Sequence, residues 1–177
     1  DGRCIVIIGD GAGIGYPTAI PQIECHAGDD TIALVFRHLA PLNEGDLAKL
    51  VAFAQLHAFA IFLQSGGIDT VVPLWPEVAP LAFALPQWNI ELAFRPLDFI
   101  QVNAGLNQKM IARTFELLDP QPEDRILDLF CGLGNFTLPL ARASVDGDVV
   151  GVEGEAGLVQ RARANAAHNG LANVQFH

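Results

Sequence analysis

Residues 125–135, RILDLFCGLGN, constrain the fold of this chain more than any other stretch. An apolar run leads directly into Gly132 and Gly134, and a second apolar run ends at Glu153, 19 residues after Gly134. A strand, a glycine turn and an acidic residue one βα unit later form the pattern of folds that bind an adenosyl cofactor. The glycines let the backbone lie against a ligand without an intervening Cβ, and the Glu153 carboxylate offers two acceptor oxygens to a ribose diol. The pattern therefore predicts a cofactor site that includes Gly132 and Glu153.

The spacing of the turn also bears on which adenosyl cofactor binds. A dinucleotide fingerprint has a third glycine three residues after the second, where the helix packs closely on the strand. In this chain that position holds Thr137. A cofactor without a pyrophosphate does not need a helix N-terminus as its anion site. S-adenosylmethionine therefore fits the pattern better than a nicotinamide dinucleotide.

Strands and helices alternate through the C-terminal part of the chain. This alternation predicts a parallel sheet with right-handed crossovers, with the ligand at the carboxyl ends of its first two strands. The predicted elements are strands at Ile126–Phe130, Val149–Glu153 and Val174–Phe176, and helices at about Phe136–Ala143 and Ala156–His168. A preceding helix is predicted at about Ala104–Leu118, with Leu106, Met110, Ile111, Phe115 and Leu118 on one face that docks on the sheet.

The N-terminal part has a different pattern. Two β-rich runs flank a turn at residues 27–30 and predict a hairpin, and Asn43 is a plausible N-cap for the helix that follows. We expect a buried strand at Phe59–Leu63, loop or edge structure from Pro73 to Pro86, and a half-buried strand at Asn89–Phe94. These features predict a small α+β domain over residues 1–94 and a second, truncated cofactor-binding domain over residues 95–177. Within the first, residues 1–19 form a glycine-rich lead-in that lacks a proper nucleotide-binding spacing.

Composition excludes several functional classes. The chain is 51% hydrophobic and carries a net charge of −10, which argues against an autonomous nucleic-acid binder with a basic face. Its three cysteines (Cys4, Cys25 and Cys131) form no Cys-x-x-Cys pair, and its five histidines show no ligand spacing, so we predict no metal site. No apolar run approaches the roughly 18 residues of a membrane helix. We expect a cytoplasmic protein that does not interact with membranes.

Two long motifs carry a resemblance to a known family. RPLDFIQVNAGLNQKM (Arg95–Met110) and QPEDRILDLFCGLGNFTLPLA (Gln121–Ala141) closely resemble the bacterial 23S ribosomal RNA uracil-C5 methyltransferases of the RumA (RlmD) type. The resemblance is firm over residues 90–177, fainter over about 20–90 and absent over 1–19. It implies the N-terminal half of a Rossmann-like class I methyltransferase fold, preceded by a small α+β domain.

The resemblance also implies a function and a set of contacts. It implies S-adenosylmethionine-dependent methylation of uracil carbon 5 in 23S rRNA, with cofactor contacts at Gln101, Phe130, Asn135 and Glu153. The nucleophilic cysteine and the general base of the family are expected after His177, so no catalytic residue is assigned here. The four-cysteine iron–sulfur cluster of the family is expected N-terminal to this chain, because no such quartet exists in it.

Each candidate side chain also has a structural interpretation. Phe130 could be core at the end of its strand, and Asn135 could cap the helix that begins beside it. Asp128 could organise the turn or reach the cofactor amine through water. Cys131 is interpreted as a small residue that packs beside the turn. Gln101 precedes the helix at 104–118, and its amide could both donate to and accept from an amino-acid moiety.

We interpret the chain as a fragment that is inactive alone. It begins at Asp1 without an initiator methionine and ends in what reads as the start of a strand, which leaves an exposed sheet edge through which it could self-associate. Its partner is then 23S rRNA, through a full-length parent. Two alternatives remain open: a methyltransferase for tRNA or another uracil site, and a non-catalytic adenosyl-binding module.

Overall fold

A computed structural model describes residues 19–177, and these divide into two compact units. The first contains residues 19–81 with 95–97, and the second contains residues 82–94 with 98–177. The glycine-rich stretch at residues 1–15 lies outside the described residues. No helix in the described part of the chain is both long and apolar enough to cross a membrane.

The first unit is a mixed four-stranded sheet with one helix. The strand order is β1-β2-β3-β4, in which β2 and β3 are parallel and the two outer pairs are antiparallel. Its elements are β1 (Gln22–Ala27), β2 (Ile32–Arg37), α1 (Glu44–His57), β3 (Phe59–Gln64) and β4 (Val71–Trp75). The core joins the sheet to the helix through Ile20, Phe36, Leu50, Ala54 and Ile61. This arrangement forms a small α+β unit.

Local signals predicted this unit well. The hairpin is present as β1 and β2, and the buried strand is present as β3. Asn43 is the N-cap of α1, where its Oδ1 accepts from the Asp46 backbone N–H at 2.9 Å. The passage from Pro73 to Pro86, expected to be loop or edge structure, contains the end of the edge strand β4, a loop and the whole of a further strand at Leu81–Leu85. Pro73 lies in an edge strand beside a register shift between Ile61 and Phe62, which are places where sheets tolerate proline.

The second unit combines a hairpin with a three-stranded parallel sheet. The strand order of the sheet is β7-β8-β9, with helices between successive strands, which confirms the predicted Rossmann-like alternation. The elements are β5 (Leu81–Leu85), β6 (Ile90–Phe94), α2 (Ala104–Leu118), β7 (Arg125–Leu129), α3 (Thr137–Ala143), β8 (Asp148–Val152), α4 (Ala156–His168) and β9 (Val174–Phe176). The predicted elements of this region agree with these bounds to within one residue.

The strand β6 packs with the second unit, although the expected boundary at residue 94 placed it in the first domain. The cause is a pair of asparagines on and after α4. Asn165 accepts from the Ala93 N–H at 2.9 Å and donates to the Ala93 carbonyl at 3.1 Å, and Asn169 makes the same pair of bonds with Glu91 at 2.9 and 2.7 Å. Polar side chains thus pair with the free backbone groups of β6. No pattern in the sequence of the hairpin predicts these hydrogen bonds.

The predicted docking face of α2 is only partly buried. Ile111 is fully buried, and the Phe115 ring lies 5.5 Å from that of Trp88. Leu106, Met110 and Leu118, which the helical spacing placed on the same face, are exposed among the described residues. The prediction of a helix over 104–118 is confirmed, but the described residues leave these three positions of the expected docking face uncovered.

Candidate cofactor-binding site

The turn after β7 is built from residues in left-handed conformations. β7 ends at Leu129, one residue earlier than predicted, and Phe130 (φ 60°), Gly132 (φ 55°) and Gly134 (φ 94°) follow. A Cβ added at Gly132 would meet no atom within 4 Å, so the turn presents bare backbone to open space. The Phe130 side chain is 90% exposed, which excludes its interpretation as core. This geometry leaves room for a ligand against the turn.

Glu153 ties this turn to the end of the neighbouring strand. Leu129 pairs with Val152, so the turn and Glu153 follow adjacent strands at the same edge of the sheet. The Gly132 N–H donates to Glu153 Oε2 at 3.0 Å, and the Glu155 N–H donates to Glu153 Oε1 at 3.1 Å. Each carboxylate oxygen can accept more than one hydrogen bond, so Glu153 keeps acceptor capacity for a ligand hydroxyl. The structure therefore brings Gly132 and Glu153 together, as predicted.

Asn135 does not cap a helix. The N-cap position of α3 is held by Phe136 and has no side-chain cap bond. The Asn135 amide instead pairs with that of Asn107 on α2 through two hydrogen bonds of 2.8 Å, one in each direction. Each amide in such a pair still has one N–H and one acceptor lone pair. The capping interpretation was wrong because a partner 28 residues away satisfies the side chain.

Asp128 is held by α3 and serves the structure of the turn. The Thr137 hydroxyl donates to Asp128 Oδ2 at 2.6 Å, and Thr137 is fully buried. Burial raises the pKa of Asp128, although its hydrogen bonds with Thr137 act in the opposite direction. The residue that replaces the third glycine of the dinucleotide pattern is therefore used to fix the carboxylate behind the turn. The sequence marked Thr137 as unusual but did not reveal this partner.

Cys131 is buried beside the two carboxylates. Burial raises its pKa to about 11, and the negative charges of Asp128 and Glu153 act in the same direction. A thiol with this pKa is protonated at neutral pH and is a poor nucleophile. This agrees with the interpretation of Cys131 as a packing residue. The Asp128 and Glu153 carboxylates also place negative charge beside the turn.

Gln101 lies on a separate segment of the second unit. It is exposed and comes two residues before Asn103, which caps α2 by accepting from the Leu106 N–H at 2.9 Å. The contact between Gln101 and a cofactor thus remains a prediction. Within residues 19–177 no group of three or more His, Cys, Asp or Glu side chains is arranged to hold a metal ion.

Comparison with known proteins supports the fold. A tRNA (uracil-54, C5)-methyltransferase of Pyrococcus abyssi, solved with S-adenosyl-L-homocysteine, aligns with a TM-score of 0.67 and 16% identity over 89% of this chain and 38% of its own. TYW2 of P. horikoshii, solved with MeSAdo, aligns with a TM-score of 0.52 and 14% identity over 82% of this chain and 52% of its own. These likenesses confirm the class I methyltransferase fold.

Sequence comparison identifies the family. A 23S rRNA (uracil(1939)-C(5))-methyltransferase RlmD of Xanthomonas euvesicatoria is 68% identical over 158 residues, and the RlmD of Stenotrophomonas maltophilia strain K279a is 63% identical over 157. Each match covers 89% of this chain, but the chain spans only 35% of the length of either relative. The family model described as tRNA (Uracil-5-)-methyltransferase matches residues 86–177, more than half of the chain. The chain therefore belongs to the family of RNA uracil-5 methyltransferases.

Proposed function

We propose that this chain is the S-adenosylmethionine-binding part of an enzyme that methylates carbon 5 of a uracil in 23S rRNA. The single observation that carries the cofactor assignment is the bond between the Gly132 N–H and the Glu153 carboxylate. It joins the glycine turn and the acidic residue at the carboxyl ends of β7 and β8, where parallel α/β sheets bind their ligands.

The electrostatics of the turn distinguish between adenosyl cofactors. Asp128 and Glu153 create a negative potential at the turn, to which the raised pKa of Cys131 also responds. Such a potential favours a sulfonium cation and disfavours the pyrophosphate of a dinucleotide. Bound S-adenosylmethionine supplies a methyl group that its positively charged sulfur activates for transfer. The residues present thus fit this cofactor.

The chain's own residues have binding and positioning roles in this proposal. Glu153 accepts hydrogen bonds from the ribose hydroxyls, and Gly132 allows the nucleoside to approach the backbone. Phe130 presents its exposed ring to the cofactor, and Gln101 and Asn135 use their amides to hold polar parts of it. We assign no catalytic residue to the chain, because Cys131 is buried and its thiol stays protonated. The nucleophilic cysteine and the general base are assigned to parts of the relatives' length that this chain does not span.

The substrate assignment follows the similarity of sequence. Relatives that are 63–68% identical carry names that specify 23S rRNA, whereas the structural match that acts on tRNA is 16% identical. The RNA surface itself is assigned to the full-length parent, because this chain carries a net charge of −10. An iron–sulfur cluster on four cysteines, which the family resemblance implies, is also assigned to that parent. We place the enzyme in the cytoplasm, where ribosomal RNA is its partner.

The isolated chain is also expected to self-associate through β7. This strand is at one edge of its sheet, and Leu127 and Leu129 on it are 62% and 58% exposed. Exposed apolar edge strands are templates for pairing with another chain. Sedimentation of the chain and of a Leu127→Lys variant tests this directly. The variant should stay monomeric at concentrations where the parent associates, and equal association of the two would contradict the assignment.

A titration of the isotopically labelled chain tests cofactor binding. S-adenosylhomocysteine, with NAD as the comparison ligand, is added to millimolar concentration while backbone amide shifts are recorded by NMR. We expect saturable changes at Gly132, Asn135 and Glu153 with S-adenosylhomocysteine and none with NAD. Tighter binding of NAD, or no change at the turn, would contradict the proposal. Incubation of the full-length protein and S-adenosylmethionine with 23S rRNA and tRNA transcripts then tests the substrate, with 5-methyluridine expected in the 23S transcript alone.

A further inference from the structure

The segment that carries Gln101 is held at both of its ends by buried polar side chains. Asp98 is 9% exposed and Asn107 is 2% exposed, whereas Gln101 between them is exposed. Buried polar groups are costly unless they are paired, and replacement of a buried ion pair by apolar residues of similar volume is often neutral or stabilising. What the two polar partners add is a defined geometry for the segment between them.

The first anchor joins the segment to α4. Arg161 Nη2 lies 2.5 Å from Asp98 Oδ1, and both side chains are largely buried. The same guanidinium nitrogen lies 3.6 Å from Glu155 Oε1. The Glu155 backbone N–H in turn donates to Glu153. The Asp98 end of the segment is therefore attached to α4, through an arginine that also approaches the loop carrying Glu153 at the carboxyl end of β8.

The second anchor joins the segment to the glycine turn. Asn107, on the first turns of α2, exchanges two hydrogen bonds of 2.8 Å with Asn135. Asn135 follows Gly134 directly, so this end is attached at the carboxyl end of β7. The first anchor thus falls on α4, which follows the loop that carries Glu153, and the second falls on the turn after β7. A segment attached to both must pass along that edge of the sheet.

We propose that the Asp98–Arg161 and Asn107–Asn135 pairs are positioning contacts, which hold segment 98–107 across the carboxyl ends of β7 and β8 so that Gln101 contacts the cofactor. This inference rests on the proposed function, since it concerns the same site. Neither Asp98 nor Arg161 touches the cofactor in it. Their effect on affinity is transmitted through Gln101.

A double-mutant cycle tests this transmission. The affinity of the chain for S-adenosylhomocysteine is measured by NMR titration for the parent, Gln101→Ala, Asp98→Asn and the double variant. Loss of a contact at Gln101 should weaken affinity about 3- to 10-fold, the range of a net hydrogen bond. Asp98→Asn should weaken it by a similar factor, and the double variant should bind no more weakly than the weaker single variant. The same cycle with Asn107→Leu gives a second measurement if Asp98→Asn does not fold.

A matched control separates positioning from charge. Glu116→Gln changes the charge by the same amount and breaks an ion pair with Arg113 that is exposed on α2. It should leave affinity unchanged. The positioning role is contradicted if the parent binds S-adenosylhomocysteine but neither anchor variant alters its affinity. It is also contradicted if the effects of the anchor variants multiply fully with that of Gln101→Ala. In both cases the proposed function stands. If the parent does not bind at all, the proposed function itself fails.

Discussion

The two units use their polar side chains in different ways. In the first unit, the side-chain hydrogen bonds at Asn43, Gln64 and Thr70 connect residues within four positions of one another. In the second unit local bonds also occur, such as the Asn103 cap of α2, but others span much longer separations, including 28 residues for Asn107–Asn135 and 63 for Asp98–Arg161. The first unit thus uses polar groups to end and cap its own elements. The second also uses them to fix separate elements to one another, and two of these contacts, Asn107–Asn135 and Asp98–Arg161, lie near the loops at the carboxyl edge of its sheet.

The strands of the two units also differ in how far their apolar side chains are buried. Ile61 in the interior strand β3 is fully buried, whereas Leu127 and Leu129 in the edge strand β7 are mostly exposed. Both strands are apolar in sequence, so composition does not separate them. The second sheet therefore has an apolar surface that no described residue covers. This surface lies beside the turn that is expected to bind the cofactor.

The largest predicted effect tests this difference in burial. Ile61→Ala should lower the free energy of unfolding of the first unit by about 2–5 kcal/mol, because it leaves a cavity in the core. Leu129→Ala should change that of the second unit by less than about 0.5 kcal/mol. Urea unfolding followed by the fluorescence of Trp75 and of Trp88 reports on the two units separately, in variants that keep one tryptophan each. Equal costs for the two substitutions would refute the contrast.

A smaller effect is predicted for the glycines of the two loops. Gly132→Ala places a Cβ at φ 55°, which should cost about 1–2 kcal/mol of stability and obstruct the space expected for the ligand. Gly154→Ala is the matched control, since its Cβ also meets no atom within 4 Å and it lacks a positive φ. We expect weaker binding of S-adenosylhomocysteine only for Gly132→Ala. Equal affinities in the two variants would contradict the prediction that the Gly132 turn contacts the cofactor.

The smallest predicted effect concerns Cys131. Its pKa is raised from 9.0 to about 11 by burial and by the adjacent carboxylates, so the folded state holds the thiol proton more tightly than the unfolded state does. The second unit should therefore lose stability as pH rises from about 9 to about 11, and be unaffected by this group below that range. Urea unfolding across this range should show the loss in the parent and a shallower one in Cys131→Ala. The same slope in both would show that Cys131 is not the group responsible.

Sequence reasoning succeeded where the determining interaction was local. The glycine turn, the Asn43 cap and the alternation of strands and helices follow from periodicity and turn chemistry, and these features are present as predicted. The capping prediction failed for Asn135, because its side-chain amide hydrogen-bonds to that of Asn107 and does not cap the adjacent helix. It also missed Asn107 and Arg161, whose partners come close only when the fold has formed. No spacing in the sequence carries that information.

The most direct test of the central claim is the affinity of Glu153→Ala for S-adenosylhomocysteine, compared with that of the parent and of Glu123→Ala. Glu123 is an exposed carboxylate before the amino end of β7, so its removal changes the charge equally at the opposite end of the sheet. We predict a loss of about ten-fold or more for Glu153→Ala, because a hydrogen bond to a charged group contributes roughly 1.5–3 kcal/mol, and no loss for Glu123→Ala. Parent-like affinity in Glu153→Ala would contradict the assignment of the cofactor site.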